Sequence, residues 1–154
     1  MAAPRLATAA DVPALAALYA NTAHTLGHGF YSIEQVQAWG SFAADLNAFA
    51  DYVLSASTWI HSREDGQFTG FCGVGSGGEV HSLYVRADCT RQGLGSQMLA
   101  HALAAARSQG VQHFAAWVTP FSRPVFERAG FVLVRTRVEP FQGVLFERYR
   151  VATT

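Results

Sequence analysis

The chain has 154 residues, enough for one domain, and no stretch reads as a linker, so residues 1–154 are expected to fold as a single unit. Half of the residues are hydrophobic and only 14% are charged, against roughly 25% in an ordinary globular chain, which excludes intrinsic disorder. Eleven basic and eleven acidic residues give zero net charge, which speaks against a nucleic-acid partner.

In chain order, Arg5-Leu6-Ala7-Thr8 reads as a short strand, and Thr8 with Asp11 as a helix cap. Val12, Leu15, Leu18 and Tyr19 recur at helical spacing to about Ala23, and Thr25 to Tyr31 reads as a loop. Ser32 and Gln35 form a capping-box pattern ahead of the apolar stripe Ile33, Val36, Trp39, and a further helix is expected from about Ala43 to Leu54. The period then shortens: Thr58 to Ser62 and Phe68 to Val74 form a hairpin, and Glu79 to Val85 a third strand. An Ala-rich helix from Gly93 to about Ser108 follows, then a strand from His113 to Val118. A short helix from Ser122 to Ala129 has Pro124 in its first turn, and strands cover Phe131 to Val138 and Val144 to Arg150. The order β-αα-βββ-α-β-α-ββ belongs to the mixed α/β class, with helices on both faces of a sheet.

Cys72 and Cys89 lack zinc-type spacing and are too few for a disulfide framework, which points to reduced thiols and a cytoplasmic protein. No apolar run reaches membrane-spanning length, and Asp11 and Pro13 interrupt what a signal peptide requires, so no membrane association is expected.

The stretch that carries chemistry is Leu83-Tyr84-Val85-Arg86-Ala87-Asp88-Cys89-Thr90-Arg91-Gln92-Gly93-Leu94-Gly95-Ser96: strand, loop, then two glycines opening a helix. Glycine lets a ligand approach the backbone closely, and first-turn N–H groups lack helical partners. With the helix dipole, they suit a pyrophosphate. The same pattern also serves plain packing. No Gly-Lys-Ser/Thr follows, and the third glycine of a dinucleotide fingerprint is missing.

This loop resembles the acetyl-CoA signature of the GNAT N-acetyltransferase superfamily, Gln/Arg-x-x-Gly-x-Gly/Ala after a strand. The Arg5–Thr8 opening with Asp11 is similar to the family's, and Val125-Phe126-Glu127-Arg128-Ala129-Gly130-Phe131 resembles its later Phe-Tyr-x-x-x-Gly-Phe segment. Tyr31-Ser32-Ile33-Glu34-Gln35 with Ala38-Trp39 looks like a stretch of one bacterial branch. The resemblance implies a strongly twisted, mostly antiparallel sheet of about seven strands and acetyl-CoA as co-substrate, with no metal. Main-chain groups of Leu83, Tyr84 and Val85 would pair with the pantetheine arm, and N–H groups from Arg91, Gln92, Gly93, Leu94, Gly95 and Ser96 would hold the pyrophosphate. Two positions depart from the pattern. Thr90 replaces the usual Gln or Arg, with Arg91 next door as a substitute charge. Phe126 replaces the tyrosine that protonates the leaving thiolate, which leaves Tyr31 or Tyr149 as replacement acids, or a thiolate that departs unaided.

An alkyl ammonium has a pKa of roughly 10.4, so amine acetylation benefits from a proton acceptor. Glu79 falls where some family members carry a catalytic glutamate, acting directly or through water. A solvated carboxylate at a strand start is the plain alternative. His81, two residues on and expected on the same face as Glu79 and Leu83, is a relay or substrate contact, or a structural histidine. The loop between the first two helices commonly borders the acceptor pocket in this family, which makes His24, His28 and Tyr31 candidate substrate contacts. His24 and His28 have metal-ligand spacing, but nothing completes a site. The expected activity is direct transfer of acetyl to a primary amine of a small molecule or peptide. The alternative is a CoA-binding module without catalysis. A homodimer through Val144-Leu145-Phe146 is an open reading.

Overall fold

The computed structural model describes residues 3–154. Strand β1 (Arg5–Leu6) leads into a capped turn, where the Thr8 N–H donates to the Asp11 carboxylate at 2.8 Å. Arg5 grips the same carboxylate through two guanidinium nitrogens, both at 2.8 Å, and holds it well below the usual carboxylate range. Helix α1 (Val12–Leu26) runs about one turn further than its apolar spacing suggests, because Gly27 keeps right-handed helical dihedrals and donates to the Ala23 carbonyl. A 3-10 turn at Gly27–Gly29 then occupies part of the expected loop. Helix α2 (Ile33–Ser41) starts at the Ser32–Gln35 capping box, with bonds of 2.9 and 3.1 Å. The next helix does not start at Ala43. A 3-10 turn covers Phe42–Ala44, Asp45 takes an extended conformation, and its carboxylate caps α3 (Leu46–Leu54) through the Ala48 N–H.

Strands β2 (Ser57–Ser62), β3 (Phe68–Val74) and β4 (Val80–Val85) add antiparallel to β1, giving the sheet order β1-β2-β3-β4. Helix α4 (Leu94–Ser108), β5 (Ala115–Val118), α5 (Arg123–Arg128), β6 (Val132–Phe141) and β7 (Val144–Ala152) complete the chain. The last three strands make a second antiparallel sheet, β5-β7-β6. The seven expected strands are thus present, divided between two sheets, with three α-helices between β1 and β2.

The two sheets meet at one place. Ala115 donates its N–H to the Gly78 carbonyl at 3.1 Å, and Glu79 and Ala115 form a parallel bridge. Past this joint β4 and β5 run parallel but unpaired among the described residues, so one edge of β4 faces a gap.

Apolar side chains fill both layers. Leu15, Tyr19, Trp39, Phe49 and Phe71 pack under α1, α2 and α3, while Cys72, Met98, Leu99, Phe126 and Val151 pack under α4 and α5. Each such burial stabilises by roughly 1.5–3 kcal/mol, so the β3–β4 pair is clamped from both faces. Phe146 is buried against Tyr31, which leaves Leu145 as the outward-facing member of the apolar trio considered for dimer contact.

Candidate active site

Within β4 the alternation of faces breaks. Ser82 pairs with Gly73 but Val80 pairs with Val74, so His81 is the extra residue of a β-bulge. Val80 and Leu83 consequently pack on the same α4 side, although three residues apart, while Tyr84 packs on the α1 side. The expectation that Glu79, His81 and Leu83 share one face fails here, because strict alternation does not survive an inserted residue. The bulge is pinned: the Tyr52 hydroxyl of α3 donates to the His81 carbonyl at 2.9 Å, and Thr22 of α1 donates to the Val85 carbonyl at 3.0 Å.

Two cavities open on either side of this segment. The smaller, about 50 Å³, lies in the gap between β4 and β5 and is lined by Ser82, Leu83, Thr119, Ser122 and Phe126, among others. The larger, about 190 Å³, is walled by aromatic residues of α1, α2 and α3 and by β7. Tyr52, His81, Tyr84, Trp117 and Thr119 border both. The two cavities therefore share a wall at the His81 and Tyr84 positions of β4.

Tyr84 sits at the centre of the aromatic wall, its ring 4.7 Å from that of Tyr19, and its hydroxyl accepts from the Trp39 indole at 3.2 Å. Burial pushes the phenols of Tyr19, Tyr31, Tyr52 and Tyr84 up, so each keeps its proton at neutral pH.

The loop after β4 enters α4 through two left-handed residues, Arg91 (φ 62°) and Gly93 (φ 78°). At Gly93 this conformation costs little because there is no Cβ. The N–H groups of Leu94, Gly95 and Ser96 are left without helical partners, and Gly95 lies near Val85 at the end of β4 and Val125 of α5. Arg91, Gln92 and Ser96 are exposed there, whereas Thr90 turns inward and donates to the Ala87 carbonyl at 3.2 Å. This backbone suits a diphosphate, and the free edge of β4 suits an amide-containing arm.

The candidate side chains fall in different places. His81 is exposed and borders both cavities, and Tyr31 lines the larger one. Glu79 lines neither; its carboxylate accepts from Arg150 at 2.7 Å. His24 lies against Gly40 of α2 and His28 is exposed, and neither lines a cavity. Among the described residues no group of three metal-ligating side chains comes together. Phe126 borders the gap without a hydroxyl, and Tyr149, which lines neither cavity, donates its own to Glu147 at 2.6 Å. Tyr52, Thr119 and Arg148 are not singled out by the sequence, in which Trp39, Trp59 and Trp117 read as core with one of them available to line a pocket; Trp117 borders both cavities. Tyr52, Trp117, Thr119 and Arg148 come from α3, β5, the β5–α5 turn and β7, and no local motif joins them.

A GCN5-related N-acetyltransferase from Rhodopseudomonas palustris superimposes with a TM-score of 0.93 at 22% identity, covering 99% of this chain and 94% of that one. The PaiA N-acetyltransferase of Thermoplasma acidophilum, solved in complex with coenzyme A, gives 0.76 at 16% identity over 99% of both chains. YncA from Salmonella typhimurium, a putative acetyltransferase solved with acetyl-CoA, gives 0.65 at 20% identity, covering 97% of this chain and 91% of that one. No curated protein sequence matches significantly. The model of the acetyltransferase (GNAT) domain matches residues 29–153, a span that takes in the bulged strand, the glycine loop and every residue lining the two cavities except Tyr19, and the chain belongs to that family.

Proposed function

We propose that this protein transfers an acetyl group from acetyl-CoA directly to a primary amine of a small molecule or peptide, within a ternary complex. The observation that carries the reading is the free edge of β4. It opens between the unpaired start of α4 and an aromatic cavity that a second substrate enters from the other side. In this reading main-chain groups of Leu83, Tyr84 and Val85 hold the pantetheine arm, and the loop from Arg91 to Ser96 holds the diphosphate. Tyr31 contacts the acceptor. The amine nitrogen attacks the thioester carbonyl, and N–H groups near Tyr84 and Val85 stabilise the oxyanion. His81 accepts the amine proton directly. Glu79, held by Arg150, acts only through water. The C–S bond then breaks.

Tyr52 borders the same gap as Phe126, but its hydroxyl donates to the His81 carbonyl and burial raises its pKa, which makes it a poor proton donor. The CoA thiol, with a pKa of about 8.5, is a good enough leaving group to depart as thiolate. Free, buried Cys72 and Cys89 support a cytoplasmic setting.

Calorimetric titration with acetyl-CoA and CoA, with ATP as comparator, tests the site, and thiol release with added amines tests the chemistry. Binding of both CoA forms without ATP competition, followed by amine-dependent thiol release, is the expected result. Binding without release from any amine leaves the CoA-binding module that Phe126 favours, and no binding at millimolar ligand overturns both readings.

A further inference from the structure

All eleven basic residues of this chain are arginines, and four of them surround one ring. Guanidinium carbons of Arg135, Arg137, Arg148 and Arg150 lie 5.6, 5.3, 5.6 and 5.4 Å from the Trp117 ring centroid. Trp117 borders both cavities, and Arg148 lines the larger. The arginines lie on adjacent strands in direct opposition, Arg135 across from Arg150 and Arg137 across from Arg148. Like charges placed opposite each other repel across a sheet.

Two of the four are neutralised. Arg150 donates to Glu79 at 2.7 Å, and Arg148 to Glu139 at 3.1 Å. Glu147 alternates to the opposite face, where Tyr149 binds it. Arg135 and Arg137 have no carboxylate within 4 Å and no side-chain hydrogen bond among the described residues. A chain of zero net charge therefore gathers two uncompensated positive charges around Trp117, at the border of the proposed acceptor cavity, whose own lining includes Arg148 and Glu147. Helix α2 packs on this face only at its Phe146 end, and Arg135 and Arg137 stay exposed; the helices α4 and α5 pack on the other side of the sheet, against Val151 and Tyr149.

We infer that Arg135 and Arg137, with Arg148 beside them at the cavity wall, form a subsite for an anionic group on the acceptor: the acceptor is an amine that also carries a carboxylate or phosphate. The inference rests on the transferase reading for the identity of the amine, but the subsite binds its anion whether or not transfer occurs. A planar guanidinium offers paired donors to either oxyanion, and binding one relieves the repulsion between opposed strands. The Trp117 ring holds the guanidiniums in place through its face.

The test is calorimetric titration, with and without saturating CoA, of β-alanine and O-phosphoethanolamine against propylamine. It is run on the wild type and on the double variant Arg135→Gln/Arg137→Gln. The anionic amines bind the wild type roughly tenfold tighter or more than propylamine, and the double variant loses that preference while CoA binding is unchanged. The stronger of the two anionic arms identifies carboxylate or phosphate as the natural group. The ligand-free double variant melts at the same temperature as the wild type or higher, because repulsion has been removed; a purely structural role for the arginines would lower it. Equal binding of charged and neutral amines, or a preference that survives the double substitution, overturns the subsite. Absence of thiol release with intact anion binding overturns the transferase reading instead.

Discussion

At the residue scale, the proposal turns on who accepts the amine proton. His81 is the exposed, bulged residue that borders both cavities, while Glu79 is tied to Arg150. If His81 is the base, His81→Gln lowers kcat by about 10²-fold or more near neutral pH. The deficit then shrinks as pH climbs towards the amine's own pKa of roughly 10.4, where the nucleophile is neutral without help. Steady-state thiol release followed from about pH 6 to about pH 10 reads this directly. A constant ratio across the range removes His81 from the role, and the same pH signature in Glu79→Gln assigns the role to the carboxylate. The histidine was visible in the sequence because it lies two residues from a strand-start glutamate, ahead of a glycine loop. Its position at a bulge was not, since one inserted residue leaves no compositional trace. Tyr52 was invisible for another reason: at helical spacing from Phe49 it reads as core. Only the meeting of α3 with β4 turns its hydroxyl onto the His81 carbonyl.

At the scale of elements, local chemistry was legible wherever a side chain answers its own backbone. The Ser32–Gln35 box starts α2, and Pro124 stands in the first turn of α5. The Asp45 cap was missed because Phe42–Ala44 continues the apolar pattern up to it. What spacing does not reveal is a polar group caught between elements, and His61 is the example. It is 4% exposed on β2, its ring centroid 5.9 Å from that of His101 on α4, and its Nε2 has no hydrogen-bond partner. Burial, and secondarily the neighbouring His101, push its pKa down to about 4. In the unfolded chain the value is about 6.5. Between these two values the unfolded chain binds the proton and the native protein does not, so stability is full above about pH 6.5 and falls as pH drops towards 4. The loss amounts to roughly 3 kcal/mol from this residue. Urea unfolding over that range shows it, and His61→Leu flattens the acid limb relative to wild type. Parallel limbs in the two proteins show that His61 is not the group responsible.

At the scale of the molecule, the order of elements was readable from the changing hydrophobic period, but the division into two sheets was not. A sheet parts where two strands diverge, and divergence is set by packing on both faces rather than by the residues of either strand. Likewise, the arginines around Trp117 are spread over two strands in sequence and become one patch only through register. The joint that holds the halves together has one identifiable pivot. Gly78 has φ 92°, and a Cβ there would collide with the His113 carbonyl oxygen, next to the bond from Ala115 to the Gly78 carbonyl. Gly78→Ala is therefore both strained and overpacked, at a cost of about 3 kcal/mol. That corresponds to a fall in Tm of roughly 6–12 °C for a chain of this size. Gly77→Ala is the control, since nothing lies within 4 Å of a Cβ at that position and its φ is not in the left-handed region. Because the gap begins at this joint, displacing it changes the spacing of β4 from β5 along the whole cleft. Gly78→Ala should then bind acetyl-CoA more weakly in calorimetry at a temperature where it remains folded, while Gly77→Ala binds as wild type. A Gly78→Ala protein that melts early yet binds acetyl-CoA normally would show that the cleft is shaped from its open end, by the clamps of Tyr52 and Thr22 on β4, and not by the joint.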